Sequence, residues 1–403
     1  MKVAIVTQSY PPMISGAAQC AYNLAQLLPT RGHEVLVLAA GDQQIPYRTR
    51  QPGLLVERLR SFVNPLRVGQ RFALWPHWQI IRYLAEFAPD VIHLHDPFQL
   101  GLSCLMYGRR TYTPVVLTIH QLPWFIRSYL PPWPFFREWV ETTLWGYARW
   151  FLQFCAAAVV GSQAAAREIK ANIGLLPEVI SNGVNLRVFR HKDANVEWPD
   201  NLRQLSDTCA PVILHVGRLD KDKQVDRVVR AAALAMQSVP AYLVIVGDGT
   251  EKTRLIQLCL ELGIAGRTHF AGYVTVDQGL PAYFRLASVF VTASEVETQG
   301  IVLLEAAASG LPIVAAEATC LGEIVVEGMT GLLAPPGDVA GMAERIKRLL
   351  CLPELAASMG NAARAAAEEH SLEYTLGRYE NLYQRVNQSQ RTFRDAYAPT
   401  LRE

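Results

Sequence analysis

The chain has 403 residues, half of them apolar and 18% charged, with a formal net charge of +2. That balance excludes a disordered chain and gives no support to nucleic-acid binding, and the length exceeds what one compact core accommodates, so two domains are expected. Seven cysteines, at 20, 104, 155, 209, 259, 320 and 351, show no CxxC spacing, which points to reduced thiols rather than a disulfide framework or a zinc site.

Met1 leads directly into KVAIVTQSY, which reads as a buried strand and not as a signal peptide. No run reaches the roughly 20 apolar residues needed to span a bilayer. An intracellular protein, still able to lie on a membrane, is expected. Val3–Val6, Val35–Ala39, Val91–Leu94, Val115–Ile119 and Ala157–Val160 are almost continuously apolar, as parallel strands covered on both faces are. Helical periodicity falls between them at Ala17–Leu28, Trp78–Phe87, Phe135–Phe154 and Gln163–Ala171. The alternation is βαβ, hence an open α/β sheet.

Residues 190–210 are polar and aperiodic and read as the interdomain connection. The rhythm resumes with strands at Val212–Val216, Tyr242–Val246, His269–Phe270, Val289–Thr292, Ile313–Ala315 and Gly331–Leu333, and helices near 224–238, 251–262, 301–309 and 340–350. The amphipathic stretch Leu372–Val386 follows a sheet already complete. It is expected to cross back to the first domain, with the last fifteen or so residues a polar tail. The expected domains are therefore residues 1–190 joined by 371–403, and residues 205–370. Two doubly wound domains facing each other would form a cleft at the carboxyl ends of their strands.

Several stretches could carry chemistry there. In HVGRLDKDKQ (215–224), Gly217 permits a tight strand exit, and Arg218 and Lys223 could together hold a diphosphate, although cations after strands are also common on ordinary surfaces. Asp220 and Asp222 match a DxD text, but acids interleaved with lysines make a poor cage for a divalent cation. The GDG at 247–249 lacks the rest of a dinucleotide fingerprint, so a tight turn accounts for it and nicotinamide chemistry is disfavoured.

In SEVETQGIVLLEAAASG (294–310), Glu297 precedes a helix start near Gln299–Ile301 and Glu305 lies about a turn inside it. A helix start favours phosphate or developing negative charge. A glycosidase pair needs carboxyls roughly 5–9.5 Å apart converging on one bond; two separate tasks, a sugar hydroxyl and a ribose diol, fit better, with plain surface acids the alternative. In the first domain, Gly16 opens a helix after PPMIS, and His120, of a residue type more often structural when it stands alone, ends a strand at a carboxyl edge, a place that favours a functional role.

The chain resembles the retaining, nucleotide-sugar-dependent glycosyltransferases of the GT-B fold, the glycosyl transferases group 1 and family 4. The likeness runs through PPMISGAAQCAYNLAQLLPTRGHEVLVLA, VIHLHDPFQLG, PVVLTIH, VISNGVNLRVF, VGRLDKDK, IVGDGTEKTRL, FAGYV, SEVETQGIVLLEAAASGLPIVA and EIVVEGMTGLL. It implies two Rossmann-like domains and transfer of a hexose from a nucleoside-diphosphate sugar, UDP-linked by preference, without a metal or other cofactor. By this resemblance Glu297 contacts the transferred sugar, Glu305 the ribose, and the amides of Thr298, Gln299, Gly300, Ile301 and Val302 the sugar and phosphates. Arg218 and Lys223 would neutralise the leaving diphosphate, Val274 would lie near the base, Gly16 and Gly217 near the donor, and His120 beside the reacting sugar. Two departures stand out: Gln224 follows Lys223 where glycine is common, and the first loop has one glycine. A non-catalytic nucleotide-sugar binder would be expected to lack one of His120, Arg218, Lys223 or Glu297; all are present. An epimerase would need no acceptor.

The acceptor would be chosen by the N-terminal domain. Seven of the eight tryptophans precede residue 151, and 123–154 is crowded with aromatics, among them Trp124, Trp133 and Trp139, with Arg137 interspersed. Upstream, Arg48, Arg50, Arg58, Arg60, Arg67, Arg71 and Arg82 face one acid, Glu57. Such segments suit an anionic membrane interface; a core layer with snorkelling arginines also fits. HDPFQLG and ETQG are similar to blocks in glycolipid-forming members. A lipid acceptor, diacylglycerol for example, at the cytoplasmic membrane face is therefore expected, with a soluble or polysaccharide-precursor acceptor as the alternative.

Overall fold

The computed structural model describes residues 1–13, 15–63, 71–124, 130–189, 203, 210–318 and 320–397. The chain divides into two compact units, Met1–Asn182 with Glu373–Glu403, and Gly183–Leu372.

The strands of the first unit are β1 (Lys2–Thr7), β2 (Glu34–Ala40), β3 (Tyr47–Gln51), β4 (Leu54–Leu59), β5 (Phe62–Val63), β6 (Arg71–Phe72), β7 (Val91–Leu94), β8 (Val115–Ile119), β9 (Ala157–Val160) and β10 (Glu178–Val179). Eight make one sheet in the order β10-β9-β8-β7-β1-β2-β4-β3, while β5 and β6 pair separately. Every pairing in the large sheet is parallel except β3 with β4. Val3 sits between Val35 and Val91, and such apolar triplets, closed on both faces by helices, explain the unbroken apolar runs. Ser15 caps helix Gly16–Leu27 by accepting from the Ala18 N–H, and Ser162 caps Gln163–Ile173 in the same way.

The hairpin β3–β4 was not expected, because its charges hide it. Arg48 pairs with the buried Glu57. Arg58 is buried and donates to the carbonyls of Tyr10, Ala40 and Pro11, tying the hairpin to the loop after β1. Arg71 donates to Ser61 Oγ and O at 2.8 and 3.1 Å, and Arg82 lies 3.6 Å from Glu86. Arg48, Arg58, Arg71 and Arg82 thus each have a partner within the protein; Arg67 lies outside the described residues.

The C-terminal helix, Leu372–Tyr397, inserts Leu376, Tyr379, Leu382, Tyr383 and Val386 into the core shared by β1, β2 and helix Gly16–Leu27. It continues well past Val386, so most of the expected tail is helical; Arg385 pairs with Glu178, and Arg391 reaches Asp90 at 3.3 Å. Residues 398–403 lie outside the described set, as does the expected connection 190–210 apart from 203 and 210.

The second unit holds β11 (Val212–Val216), β12 (Tyr242–Val246), β13 (Thr268–Gly272), β14 (Val289–Thr292), β15 (Ile313–Ala316) and β16 (Gly331–Ala334). They pair in the order β13-β12-β11-β14-β15-β16, all parallel. The sheet reverses its winding between β11 and β14, where doubly wound sheets bind ligands at the carboxyl ends. The loops leaving those two strands are GRLDKDK and ASEVETQG.

GDG does more than turn the chain. Gly247 has φ +146°, and a Cβ there would fall 1.8 Å from the Gly217 carbonyl oxygen. Gly217 N donates to Val246 O and Leu219 N to Asp248 O, both at 3.0 Å. Backbone lies directly on backbone, so the loop after β12 braces the loop that carries Arg218. Gly247→Ala is expected to destabilise the protein by about 2–4 kcal/mol in denaturant titration; a loss under about 0.5 kcal/mol would mean that the two loops are not interlocked.

Candidate active site

In the second unit the cations come first. Arg218 follows the β11 exit and is gripped by both acids of the DxD text, pairing with Asp220 and reaching Asp222 Oδ2 at 2.8 Å. Asp222 is buried, and Asp220 Oδ1 also accepts from the N–H and hydroxyl of Thr250 at 3.1 and 3.0 Å. These carboxylates orient a guanidinium and are not arranged as a cation cage. Gln224 takes the left-handed conformation, φ +49°, which glycine adopts more readily than other residues. Gln224 N donates back to Lys221 O, closing the turn around Lys223.

Lys223 Nζ lies 2.6 Å from Glu297 Oε1, with the two side chains 17% and 18% exposed. This joins the loop after β11 to the loop after β14. The Glu297 side is held in turn: its carbonyl accepts the Cys320 thiol at 3.3 Å, and Glu295 pairs with Arg227. Gln299 is buried. Gly300, at φ +78°, starts helix Ile301–Ala308, and a Cβ there would meet Leu303 Cδ1 at 2.8 Å. Thr298, Gln299, Gly300, Ile301 and Val302 thus form the approach to and first turn of a helix, whose amides have no carbonyl one turn earlier in the helix.

Glu305 has different surroundings. Burial pushes its carboxyl up to about 8. The Tyr273 hydroxyl is raised first by burial and then by this carboxyl, which places Glu305 beside Tyr273 and its neighbour Val274, just past β13. The two glutamates therefore differ: one is paired with a lysine, the other is partly buried near a tyrosine with its carboxyl raised. Beneath them His215 donates its Nδ1–H to Val291 O at 2.9 Å, and burial, the largest influence, lowers it to about 4. Its contribution was not foreseen; its only sequence signal is its place on β11, two residues before Gly217.

In the first unit, Gly16 is the exposed first residue of its helix, next to the Ser15 cap. His120 follows β8. Its ring lies edge to edge with that of His95, centroids 5.0 Å apart and planes 12° from parallel, and its Nε2 lies 2.7 Å from His95 Nδ1. Burial lowers His120 to about 4 and His95 well below the ordinary imidazole value, so both are neutral at pH 7. Cys20, His95 and His120 are close enough to share a metal ion. However, burial raises the Cys20 thiol to about 12, and the two imidazoles already share a hydrogen bond, so the set suits a protonated pocket better than a ligand shell.

Among the candidate acceptor residues, Trp133 and Trp139 are 66% and 64% exposed. Trp124 is half-buried and packs on the Leu122 and Trp145 cluster, so it belongs to the core. Arg137 donates to the carbonyls of Pro131 and Leu130 at 2.8 and 3.0 Å, bracing the start of helix Pro134–Leu152. Two exposed tryptophans, Trp75 and Trp78, were missed. Trp75 edges a surface hollow of about 460 Å³ lined also by Leu105, Met106, Trp150 and Phe154.

Comparison with known proteins matches this architecture. Residues 14–188 fit the family model described as Glycosyltransferase Family 4, and residues 200–366 the one described as Glycosyl transferases group 1. A GDP-mannose-dependent alpha-mannosyltransferase of Mycobacterium tuberculosis is 31% identical over 343 residues, 84% of this chain and 85% of that protein. The alpha-monoglucosyldiacylglycerol synthase of Acholeplasma laidlawii is 24% identical over 407 residues, 95% of this chain and 96% of that protein. Anabaena HepE, solved in complex with UDP-glucose, has the same fold, with a TM-score of 0.75 at 21% identity over 95% of this chain and all of that one. The chain therefore belongs to the group 1 and family 4 glycosyltransferases, nucleotide-sugar-dependent transferases of GT-B type built from two Rossmann-like domains.

The raised Glu305 carboxyl has a stability consequence. Between its ordinary value of 4.5 and about 8, the unfolded chain has released the proton that the folded chain keeps, so stability falls as pH rises through that window. Glu305→Gln should therefore raise Tm more at pH 8 than at pH 5, by the equivalent of on the order of 1–2 kcal/mol. An equal effect at both pH values would show that the Glu305 carboxyl is not raised in the folded protein.

Proposed function

We propose that this transferase moves a hexose from a nucleoside-diphosphate sugar, UDP-linked by preference, to a lipid acceptor such as diacylglycerol, with retention of anomeric configuration and without a metal. The observation that carries the donor half is the Lys223–Glu297 contact, 2.6 Å, made by the two loops that leave the switch-point strands and set immediately before a helix start. An entering diphosphate competes with the Glu297 carboxylate for the lysine ammonium. As the phosphate takes the cation, the carboxylate is released to accept from a sugar hydroxyl.

Leaving-group charge then grows against Lys223, the oriented Arg218 and the first turn of helix Ile301–Ala308, which are fixed beforehand and need no rearrangement. With Asp220 and Asp222 committed to Arg218, stabilisation by cations and amides is the reading that fits the donor set. Glu305, near Tyr273 and Val274, suits a ribose diol, to which a protonated carboxyl can donate and an ionised one accept. In the first unit the neutral His120 serves as a hydrogen-bonding partner of the reacting sugar rather than as a charge.

The lipid acceptor draws on the exposed Trp133, Phe135 and Trp139 at the start of one helix and on Trp75 and Trp78 near another, amphipathic rings suited to a headgroup layer. The similarity to an alpha-monoglucosyldiacylglycerol synthase supports it. None of the helices among the described residues is long and apolar enough to cross a membrane, so contact at the cytoplasmic face would be peripheral.

The test is a thermal-shift panel of UDP-, GDP- and ADP-sugars, followed by product analysis with dioleoylglycerol vesicles and assignment of the anomeric configuration by NMR. A UDP-sugar is expected to stabilise the wild type, and Lys223→Met to abolish the shift; an undiminished shift in that variant would remove the lysine from the donor site. Glu297→Ala and His120→Ala should each lower kcat at least about tenfold, about 1.4 kcal/mol of barrier, and unchanged rates would exclude them from the reaction. In sedimentation with anionic liposomes, Trp133→Ala combined with Trp139→Ala should reduce the bound fraction several-fold; wild-type protein that stays in the supernatant would point to a soluble acceptor instead.

A further inference from the structure

The contact between His95 and His120 joins two neutral rings at 2.7 Å, so one nitrogen must donate and the other accept. We propose that His95 is a positioning residue that donates its Nδ1–H to Nε2 of His120, and so holds the His120 proton on Nδ1 and fixes the orientation of its ring. The proposal rests on the reading of His120 given above and adds a residue and a tautomer to it.

The direction of the bond follows from the other side of the His95 ring. His95 Nε2 is buried and has no hydrogen-bond partner among the described residues. Were Nδ1 the acceptor, Nε2 would carry a buried N–H with nothing to receive it. With Nδ1 donating, Nε2 keeps only a lone pair, and an under-satisfied acceptor is the more readily tolerated of the two. Burial lowers both rings, which supports a single shared proton rather than an imidazolium.

The ring is also held in place. His120 meets its edge in a nearly coplanar arrangement, and His93 packs against it with its centroid 4.4 Å away. His93 is fixed at both nitrogens, by Thr118 Oγ1 and by the Tyr383 hydroxyl, each at 2.7 Å. Thr118 Oγ1 in turn meets the Tyr379 hydroxyl at 3.0 Å. Tyr379 and Tyr383 belong to the C-terminal helix, which thereby supports the rings behind His120 from the far end of the chain. His93 and His95 lie two apart along the path of β7, so they point the same way, and His120 lies one residue beyond β8, the neighbouring strand.

The experiment is long-range proton–nitrogen NMR of the full-length protein carrying ¹⁵N-histidine, with His120 assigned by the signal lost in His120→Gln. The expected spectrum shows His120 protonated at Nδ1. In His95→Asn the amide nitrogen can take the place of Nδ1 and still donate, so the tautomer should persist and kcat should stay within about threefold. His95→Asp offers only an acceptor, and His95→Leu offers nothing. Both should lower kcat at least about tenfold with the donor KM within about twofold, and the aspartate should move the His120 proton to Nε2. A purely structural role would instead make asparagine and leucine equally harmful. Wild-type His120 protonated at Nε2, or full kcat in His95→Asp, overturns the proposal. A native tautomer combined with a fully active His120→Ala would count against the catalytic reading while the assignment of His95 stood.

Discussion

The ion pair between Lys223 and Glu297 is the contact around which the second unit is organised. The residues are 74 apart in sequence and 2.6 Å apart in space, and they meet because parallel winding brings the exits of β11 and β14 side by side. Both charges are largely withdrawn from water, so neither is stable without a partner, and removing one strands the other. Such a pair is poised for exchange: an anion that satisfies the lysine releases the carboxylate. The surrounding structure limits where either can go. Gly247 lies against Gly217 on one side, Cys320 and Arg227 restrain the Glu297 loop on the other, and the DxD acids immobilise the neighbouring guanidinium.

The two units are built on the same winding yet differ electrostatically. In the second, charges are paired and partly buried near a helix start, as suits a ligand that brings two phosphates. In the first, the buried groups at the carboxyl edge are uncharged imidazoles, hydroxyls and a thiol held protonated by burial. A column of this kind can position hydroxyl groups through hydrogen bonds without attracting anions. Its continuation into Tyr379 and Tyr383 gives the returning C-terminal helix a role beyond closing the core.

Much of this organisation was legible in the residues, for an identifiable reason. Parallel strands buried on both faces leave unbroken apolar runs, and Val91–Leu94, Val115–Ile119, Val212–Val216 and Tyr242–Val246 have the limits expected of them. The hairpin Tyr47–Gln51 with Leu54–Leu59 did not show, because an edge strand alternates with charge and because Glu57 and Arg58 are buried against its apolar signal. Helix Gln99–Thr111 was likewise obscured by its glycines and polar residues, and Pro353–Ala367 by a run of alanines and polar residues with no strong apolar stripe. At the site, residue types and spacing brought out the cations and glutamates, but partnership is a property of folding. Nothing local indicates that Arg218 is committed to Asp220 and Asp222, that Arg137 braces its own helix, that Trp124 is core, or that His95 touches His120.

The account is tested most directly by a crystal structure of the protein soaked with UDP. It predicts the diphosphate within hydrogen-bonding distance of the Lys223 ammonium and of the amides around Ile301, with the Glu297 carboxylate turned away from the lysine. A nucleotide bound elsewhere, or bound with the Lys223–Glu297 contact intact, would contradict it.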